Sequence, residues 1–505
     1  MSNPPTLYDL IRELPVLGET PVVYSTTAVL TMDELRSAVT RLADALTQAG
    51  VRPGNPVGGL VGSGPSGIVA MFATWRAGGV YMPINQRSTP AELAALVAET
   101  PVCTLLGTAD DLDRLATDGL ALVEFDETTW QAAVRRPLVG EATAYDRDLA
   151  LILRTSGTTG RPKAVLLRHQ GTLDALDSSL RKLRRRATAT PAQPQARIRV
   201  NLIPLSLALW SGIFNTLFSL RAGFGVVLLE RFTPKDFAAA VQTHQLKSTV
   251  LAPAMITMLC DSDEVDSLAP LQIVRSITAA LSPATARRFH ERFGVLVLNS
   301  YGQTELGGEV VGWTMDDIRT FGAAKLGAVG RPYDDVDVRI LDDAQRDLPV
   351  GESGHIHIRS PFRMLGYASG DSPTPLDADR LFGDYLRTGD IGHLDSDGFL
   401  WIDGRASDMI NRGGLKVFPD EVEEVLRRHP SVHDVAVAGV ADARLGEVPH
   451  AWIVLEPGST LDAAALAQWC RDNLAPYKVP VVFTAIDALP RNEVGKVLRR
   501  ALVTA

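Results

Sequence analysis

The run Thr155-Ser156-Gly157-Thr158-Thr159-Gly160-Arg161-Pro162-Lys163 directly follows the apolar stretch Leu149–Leu153. Its glycines let backbone approach an anion closely, three threonines and a serine offer hydroxyl donors, and Arg161 and Lys163 add positive charge. Those are the requirements of a polyphosphate cradle. No G-K-[ST] ends the loop, so it is not a Walker A loop, and Ala164–Leu167 after it reads as a strand rather than a helix. Taken alone, the run also fits an ordinary hairpin turn. Three further clusters decide between these. Asn299-Ser300-Tyr301-Gly302-Gln303-Thr304-Glu305 puts an aromatic face, hydroxyls and a carboxylate into one loop. Tyr385-Leu386-Arg387-Thr388-Gly389-Asp390 and then Gly404-Arg405 supply a second carboxylate and a guanidinium. Pro490-Arg491-Asn492-Glu493-Val494-Gly495-Lys496 ends on a lysine.

The elements that must position these groups alternate in type. Short apolar runs at Leu149–Leu153, Val226–Leu229, Thr249–Ala252 and Val295–Leu298 read as buried strands, interleaved with helix-like stretches such as Ala284–Phe293. That alternation predicts an α/β architecture. Near the start, Thr31 and Glu34 form a T-x-x-E capping box, Leu35, Val39, Leu42, Ala43 and Leu46 recur at helical spacing, and Gly50 supplies the stop. Late in the chain, Asp395-Ser396-Asp397-Gly398 is a turn signal before a short strand Phe399–Ile402, followed by a polar stretch Gly404–Gly414. Pro419-Asp420-Glu421 then opens a helix, with proline and acids in its first turn. Strands Val435–Val440, Ala451–Leu455 and Val481–Ile486 and helix Leu461–Leu474 complete a small α/β unit.

At 505 residues the chain exceeds one compact domain, since domains average about 150 residues. Hydrophobic residues make up 46% and charged residues 22%, which suits a large buried core and excludes general disorder. A net charge of −9 argues against nucleic acid or an anionic membrane as the main partner. Three scattered cysteines, Cys103, Cys260 and Cys470, exclude a disulfide framework and fit a reducing cytoplasm. Asp9, Arg12, Glu13 and Glu19 interrupt any signal-like apolar region. Val200–Leu220 carries no charge, but Asn201, Pro204, Ser206, Ser211 and Asn215 within it favour a buried segment over a membrane span. The basic, then Pro- and Gln-rich stretch Arg181–Arg197 reads as an exposed loop or as a docking patch for a polyphosphate or an acidic carrier protein.

Jointly, TSGTTGRPK, YGQTE, RTGD and PRNEVGK, in this order and spacing, resemble the AMP-forming adenylating superfamily of acyl- and aryl-CoA synthetases, adenylation domains and luciferase-like enzymes. The resemblance covers nearly the whole chain. It implies a large, multi-subdomain amino-terminal body with mixed sheets over residues 1–406, and a small mobile α/β domain over 407–505 that carries the catalytic lysine. It implies that Thr155, Ser156, Gly157, Thr158, Thr159, Gly160 and Lys163 hold the β- and γ-phosphates of ATP. Tyr301 would stack on adenine, Asp390 would accept both ribose hydroxyls, and Arg405 would sit on the ribose and phosphate side. Thr304 would meet the α-phosphate, Glu305 would hold Mg²⁺, and Lys496 would stabilise charge as a carboxylate attacks and pyrophosphate leaves. A rotation about Ser407 would then withdraw Lys496 and admit a thiol, with Gly413 and Gly414 beside the thiol tunnel. Gly413-Gly414 also reads as a plain turn before the strand Leu415–Phe418.

The expected activity is ATP-dependent conversion of a small, aromatic or short-chain acid to an acyl adenylate, then transfer to a thiol such as CoA. Departures from the family pattern shape this expectation. The histidine or aspartate common three residues after the proline is Leu207 here, so an α-ammonium group would lack a carboxylate partner. The usual hinge aspartate or lysine is Ser407, with Asp408 an equal candidate. The Gly-Ala-Pro of the pocket reads Thr278-Ala279-Ala280, a narrower or more polar wall. Leu207, Trp210, Ser211, Thr278 and Leu306 are the candidate acid-pocket residues. Other acceptors or oxyanions stay open (a carrier protein, an amine, nitrite), as does a non-catalytic nucleotide-binding relative.

Overall fold

The capping box at Thr31 forms as its sequence predicts. In the computed structural model, Glu34 N donates to Thr31 Oγ1 at 3.3 Å and Thr31 N to Glu34 Oε2 at 2.8 Å. They open a helix Met32–Gln48 whose Leu35, Val39, Leu42, Ala43 and Leu46 are all buried. The structure describes residues 5–100, 102–114, 119–155, 163–183, 196–369, 372–374, 380–491 and 495–503.

A nine-stranded sheet organises the first part of the body. Its spatial order is Ser372–Thr374, Gly366–Ser369, Lys163–Arg168, Leu149–Thr155, Val80–Asn85, Pro56–Val61, Thr104–Gly107, Ala121–Phe125 and Ala132–Arg136. The run from Leu149–Thr155 to Ala121–Phe125 is parallel and covered on both faces, which is why Pro56–Val61 is buried at every position. Antiparallel pairing appears where a hairpin closes: Leu149–Thr155 returns as Lys163–Arg168. A second, four-stranded sheet contains Val200–Ile203 and Gly225–Leu228, and a three-stranded parallel sheet contains Ser248–Leu251, Ile273–Ser276 and Leu296–Asn299. The uncharged Val200–Leu220 stretch divides into the strand Val200–Ile203 and a buried helix Trp210–Arg221. Among the described residues no helix is long and apolar enough to cross a membrane.

One hairpin extends further than its sequence suggests. The strand expected at Phe399–Ile402 spans Leu400–Arg405, because its partner Tyr385–Leu394 continues to offer ladder hydrogen bonds. Cooperative pairing overrides the low strand propensity of Asp403 and Gly404. This sets Arg405 directly across from Asp390.

Beyond that hairpin the chain builds a separate core. Ile410, Val417, Val422, Val425, Leu426, Val435, Val437, Ile453, Leu466 and Cys470 pack together, between a five-stranded sheet and the helices Pro419–Arg427 and Ala463–Asn473. The smaller unit touches the body at few points. Ala284 N donates to Glu424 Oε1 at 3.2 Å, Lys416 Nζ reaches Asp343 at 3.3 Å, and Gly495 lies against Ala254.

Candidate active site

Asp390 is the centre of the site. Its side chain is 5% exposed and receives three donors: Tyr301 OH at 2.6 Å and Gln303 Nε2 at 2.7 Å on Oδ2, and Arg405 Nε at 3.1 Å on Oδ1. Asp390 and Arg405 meet because they are cross-strand neighbours, while Tyr301 and Gln303 arrive from the short strand Tyr301–Gln303 that follows Leu296–Asn299. A carboxylate has about four lone-pair sites. With three occupied, Asp390 can receive both ribose hydroxyls only if Gln303 or Tyr301 gives way. Burial, then the charge of Asp390, pushes the Tyr301 phenol well above its ordinary range, so it remains a neutral donor. Gln303 stands inside the quoted motif, yet its amide role was not legible from its residue type.

Lys496, in the smaller unit, lies within electrostatic reach of Arg405 and Asp390. Burial, and then the Arg405 guanidinium, pull its ammonium below the ordinary lysine range, while Asp408 and Asp390 oppose that shift. Gly495, at φ +77°, seats the turn on the body: a Cβ there would stand 2.5 Å from Ala254 Cβ. Glycine is required on both counts.

The phosphate side is partly in view. Thr155 ends its strand opposite Lys163, and Thr155 Oγ1 donates to the Lys163 carbonyl at 3.5 Å. Ser156, Gly157, Thr158, Thr159, Gly160 and Arg161 lie outside the described residues. Lys163 Nζ stands 4.8 Å from the centre of the Tyr367 ring, and Tyr367 OH donates to Glu305 Oε1 at 3.4 Å. Arg380 also donates to Tyr367 OH. Burial, and then Glu305, push this phenol up to about 12. Tyr367 and Arg380 thus tie Lys163 to Glu305, a link with no sequence signal because the residues are far apart in the chain. Among the described residues no hydrogen bond reaches the second Glu305 oxygen, and a carboxylate oxygen is a ligand that Mg²⁺ accepts. Thr304 opens a short turn of 3-10 helix beside it.

The candidate acid-pocket residues fall into three groups by burial. Leu207 and Leu306 are 2% and 0% exposed and belong to the main core, Leu207 packing on Gly67. Trp210 and Ser211 open the helix Trp210–Arg221 and are half-buried, and Trp210 Nε1 is buried with no acceptor among the described residues. Thr278 is exposed and has φ +78°, a left-handed backbone that a β-branched residue rarely adopts. Gly413 and Gly414, at φ +61° and +91°, make an exposed tight turn between Ile410–Arg412 and Leu415–Val417. Ser407 is exposed and donates to Asp408 Oδ1 at 2.9 Å. The basic run begins inside a helix, where Arg181 pairs with Asp335 at 2.6 Å and Lys182 is buried against Tyr333; residues 184–195 lie outside the description.

Comparison with known proteins fits this arrangement. A family model described as AMP-binding enzyme matches residues 15–368, and one described as AMP-binding enzyme C-terminal domain matches 421–496. An indoleacetate–CoA ligase of Aromatoleum aromaticum is 33% identical over 492 residues, covering 93% of this chain and 91% of that protein. A feruloyl-CoA synthase of an Amycolatopsis species is 32% identical over 482 residues, covering 93% and 92%. ATP-bound MatB from Rhodopseudomonas palustris superposes with a TM-score of 0.85 at 25% identity, covering 99% of each chain.

Proposed function

The chain belongs to the AMP-binding enzyme family, and from that premise we propose that it is an ATP-dependent acid–thiol ligase. It activates a small, aromatic or short-chain carboxylic acid as its acyl adenylate and transfers the acyl group to CoA. The observation that supports this reading best is the meeting of Tyr301, Gln303 and Arg405 on the buried Asp390 carboxylate, with Lys496 of the smaller unit within electrostatic reach of Arg405 and Asp390.

In the first half-reaction a carboxylate oxygen of the acid attacks the α-phosphorus of ATP. The bond to the β-phosphate breaks, and pyrophosphate leaves with the electron pair. Tyr301 stacks on adenine, and Asp390 takes the ribose as Gln303 yields. Thr304 donates to the α-phosphate, and Thr155–Lys163 holds the leaving pyrophosphate. Lys496 and Arg405 face the charge that develops on the α-phosphate oxygens, which is where fixed cations accelerate phosphoryl transfer most. Glu305 is the residue that would hold Mg²⁺, whose charge offsets that of the polyphosphate.

In the second half-reaction a thiolate attacks the acyl carbonyl and AMP departs. We assign residues 1–406 to the body and 407–505 to a lid that turns about Ser407, moving Lys496 out and bringing Gly413 and Gly414 toward the thiol path. A glycine pair leaves a narrow channel unobstructed. CoA is the acceptor in this reading, and an acyl carrier protein is the alternative thiol. Cys103, Cys260 and Cys470 are all unpaired and buried, which supports a reducing, cytoplasmic setting.

Acid-dependent exchange of labelled pyrophosphate into ATP tests adenylation, and AMP release with and without CoA identifies the acceptor. Lys496→Ala should reduce exchange roughly 100-fold or more while ATP binding, followed by calorimetry, persists. Undiminished exchange in that variant would remove Lys496 from the mechanism.

A further inference from the structure

A partly buried polar network joins segments that carry proposed acid-pocket residues and has no part in the roles above. Arg275 sends Nη1 to Glu309 Oε2 at 2.8 Å and Nη2 to Asn215 Oδ1 at 3.3 Å. Glu309 also accepts from Ser300 Oγ at 3.0 Å and from Tyr333 OH at 2.5 Å. Four of its five members come from segments that carry a proposed site residue. Arg275 precedes Thr278 on the same connection, Asn215 is one turn beyond Ser211, Ser300 adjoins Tyr301, and Glu309 follows Leu306.

The donor and acceptor balance of this network is uneven. A guanidinium carries five N–H groups in a fixed fork. Two of them serve Glu309 and Asn215, and the Arg275 side chain keeps 24% of its surface accessible. The Trp210 indole N–H, near the start of the Asn215 helix, also lacks an acceptor among the described residues. Glu309, by contrast, already accepts three hydrogen bonds. Taking an ion pair out of water is unfavourable, and two apolar side chains of similar volume would fill the same space at least as well. Held by Glu309 and Asn215 and still partly accessible, the guanidinium keeps N–H donors for a further acceptor.

Building on the ligase reading, we propose that Arg275 determines specificity, and that the preferred acids carry an oxygen acceptor, a keto or second carboxylate oxygen, remote from the reacting carboxyl. Acids matched in shape, one bearing the distal oxygen and the other a methylene or methyl group, test this through kcat/KM for pyrophosphate release. The oxygen-bearing acid should lead by roughly 10- to 100-fold, the range of a hydrogen bond to a charged group. Arg275→Met, and the paired Arg275→Met/Glu309→Gln that avoids stranding a carboxylate, should bring that ratio to about one. Arg275→Lys keeps the charge without the fork and should lower the ratio if the Met variants do not fold. A wild-type enzyme that favours the apolar partner, or variants that keep the wild-type ratio, would overturn the assignment. Absence of pyrophosphate release with every acid would instead overturn the ligase reading, and this inference with it.

Discussion

Thr278 shows how much a single residue can reveal once its backbone is seen. The sequence marks it as a departure from a glycine-led pattern, but only the folded chain exposes the consequence, a threonine at φ +78°. Such a conformation costs on the order of 1–3 kcal/mol. Glycine would remove that strain and give back part of the gain as unfolded-state entropy, about 0.5–1 kcal/mol. Thr278→Gly should therefore stabilise the protein by roughly 1 kcal/mol, read as a higher urea midpoint at unchanged m-value. A lower midpoint would mean that the threonine side chain makes compensating contacts. Asp390 teaches a related lesson. Its place in a carboxylate-bearing motif was legible, whereas its three side-chain donors depend on a cross-strand register and on a strand distant in the chain.

At the scale of elements, local signals were faithful where local physics decides. Capping at Thr31, the helix start at Pro419 and the glycine turn at Gly398 all follow from side-chain hydrogen bonds or φ preferences within a few residues. The Leu400–Arg405 strand ran past its predicted end because a partner strand, invisible to local pattern, kept pairing with it. His169, at the start of the helix His169–Lys182, carries a similar long-range constraint. Its Nδ1 accepts from Leu7 N at 3.1 Å and its ring packs edge-on against Trp75, docking the amino-terminal segment. Burial lowers its pKa to about 4. The folded value lies below the unfolded one, so this contribution is complete above about pH 6.5 and is lost as pH falls toward 4, about 3 kcal/mol in all. His169→Asn preserves an acceptor for Leu7 N and should flatten the decline of the urea midpoint between pH 6.5 and 4. An unchanged slope would place that pH dependence on other groups.

For the whole molecule, the question is how the smaller unit meets the body. Its core is separate and its contacts with the body are few, so docking rests on small features such as Gly495 against Ala254. Gly495→Ala adds a Cβ 2.5 Å from Ala254 Cβ at a left-handed backbone position. With a left-handed penalty of about 1–2 kcal/mol, pyrophosphate exchange should fall roughly tenfold or more. Transfer from a supplied acyl adenylate to CoA, which under the proposed lid rotation does not use Lys496, should fall much less. Equal losses in both half-reactions would contradict a docking role for this turn.

The sequence by itself determined the family, the alternation of strands and helices, and the residue types of the site. Motif spacing, periodicity and caps are local properties, and they survive as a one-dimensional record. The tertiary contacts alone establish that Asp390 has three donors engaged, that Tyr367 links Lys163 to Glu305, and that Arg275 pairs with Glu309. Those contacts join residues from strands and turns far apart in the chain. Sheet order and packing choose such neighbours, and neither leaves a periodic trace in the amino acids themselves.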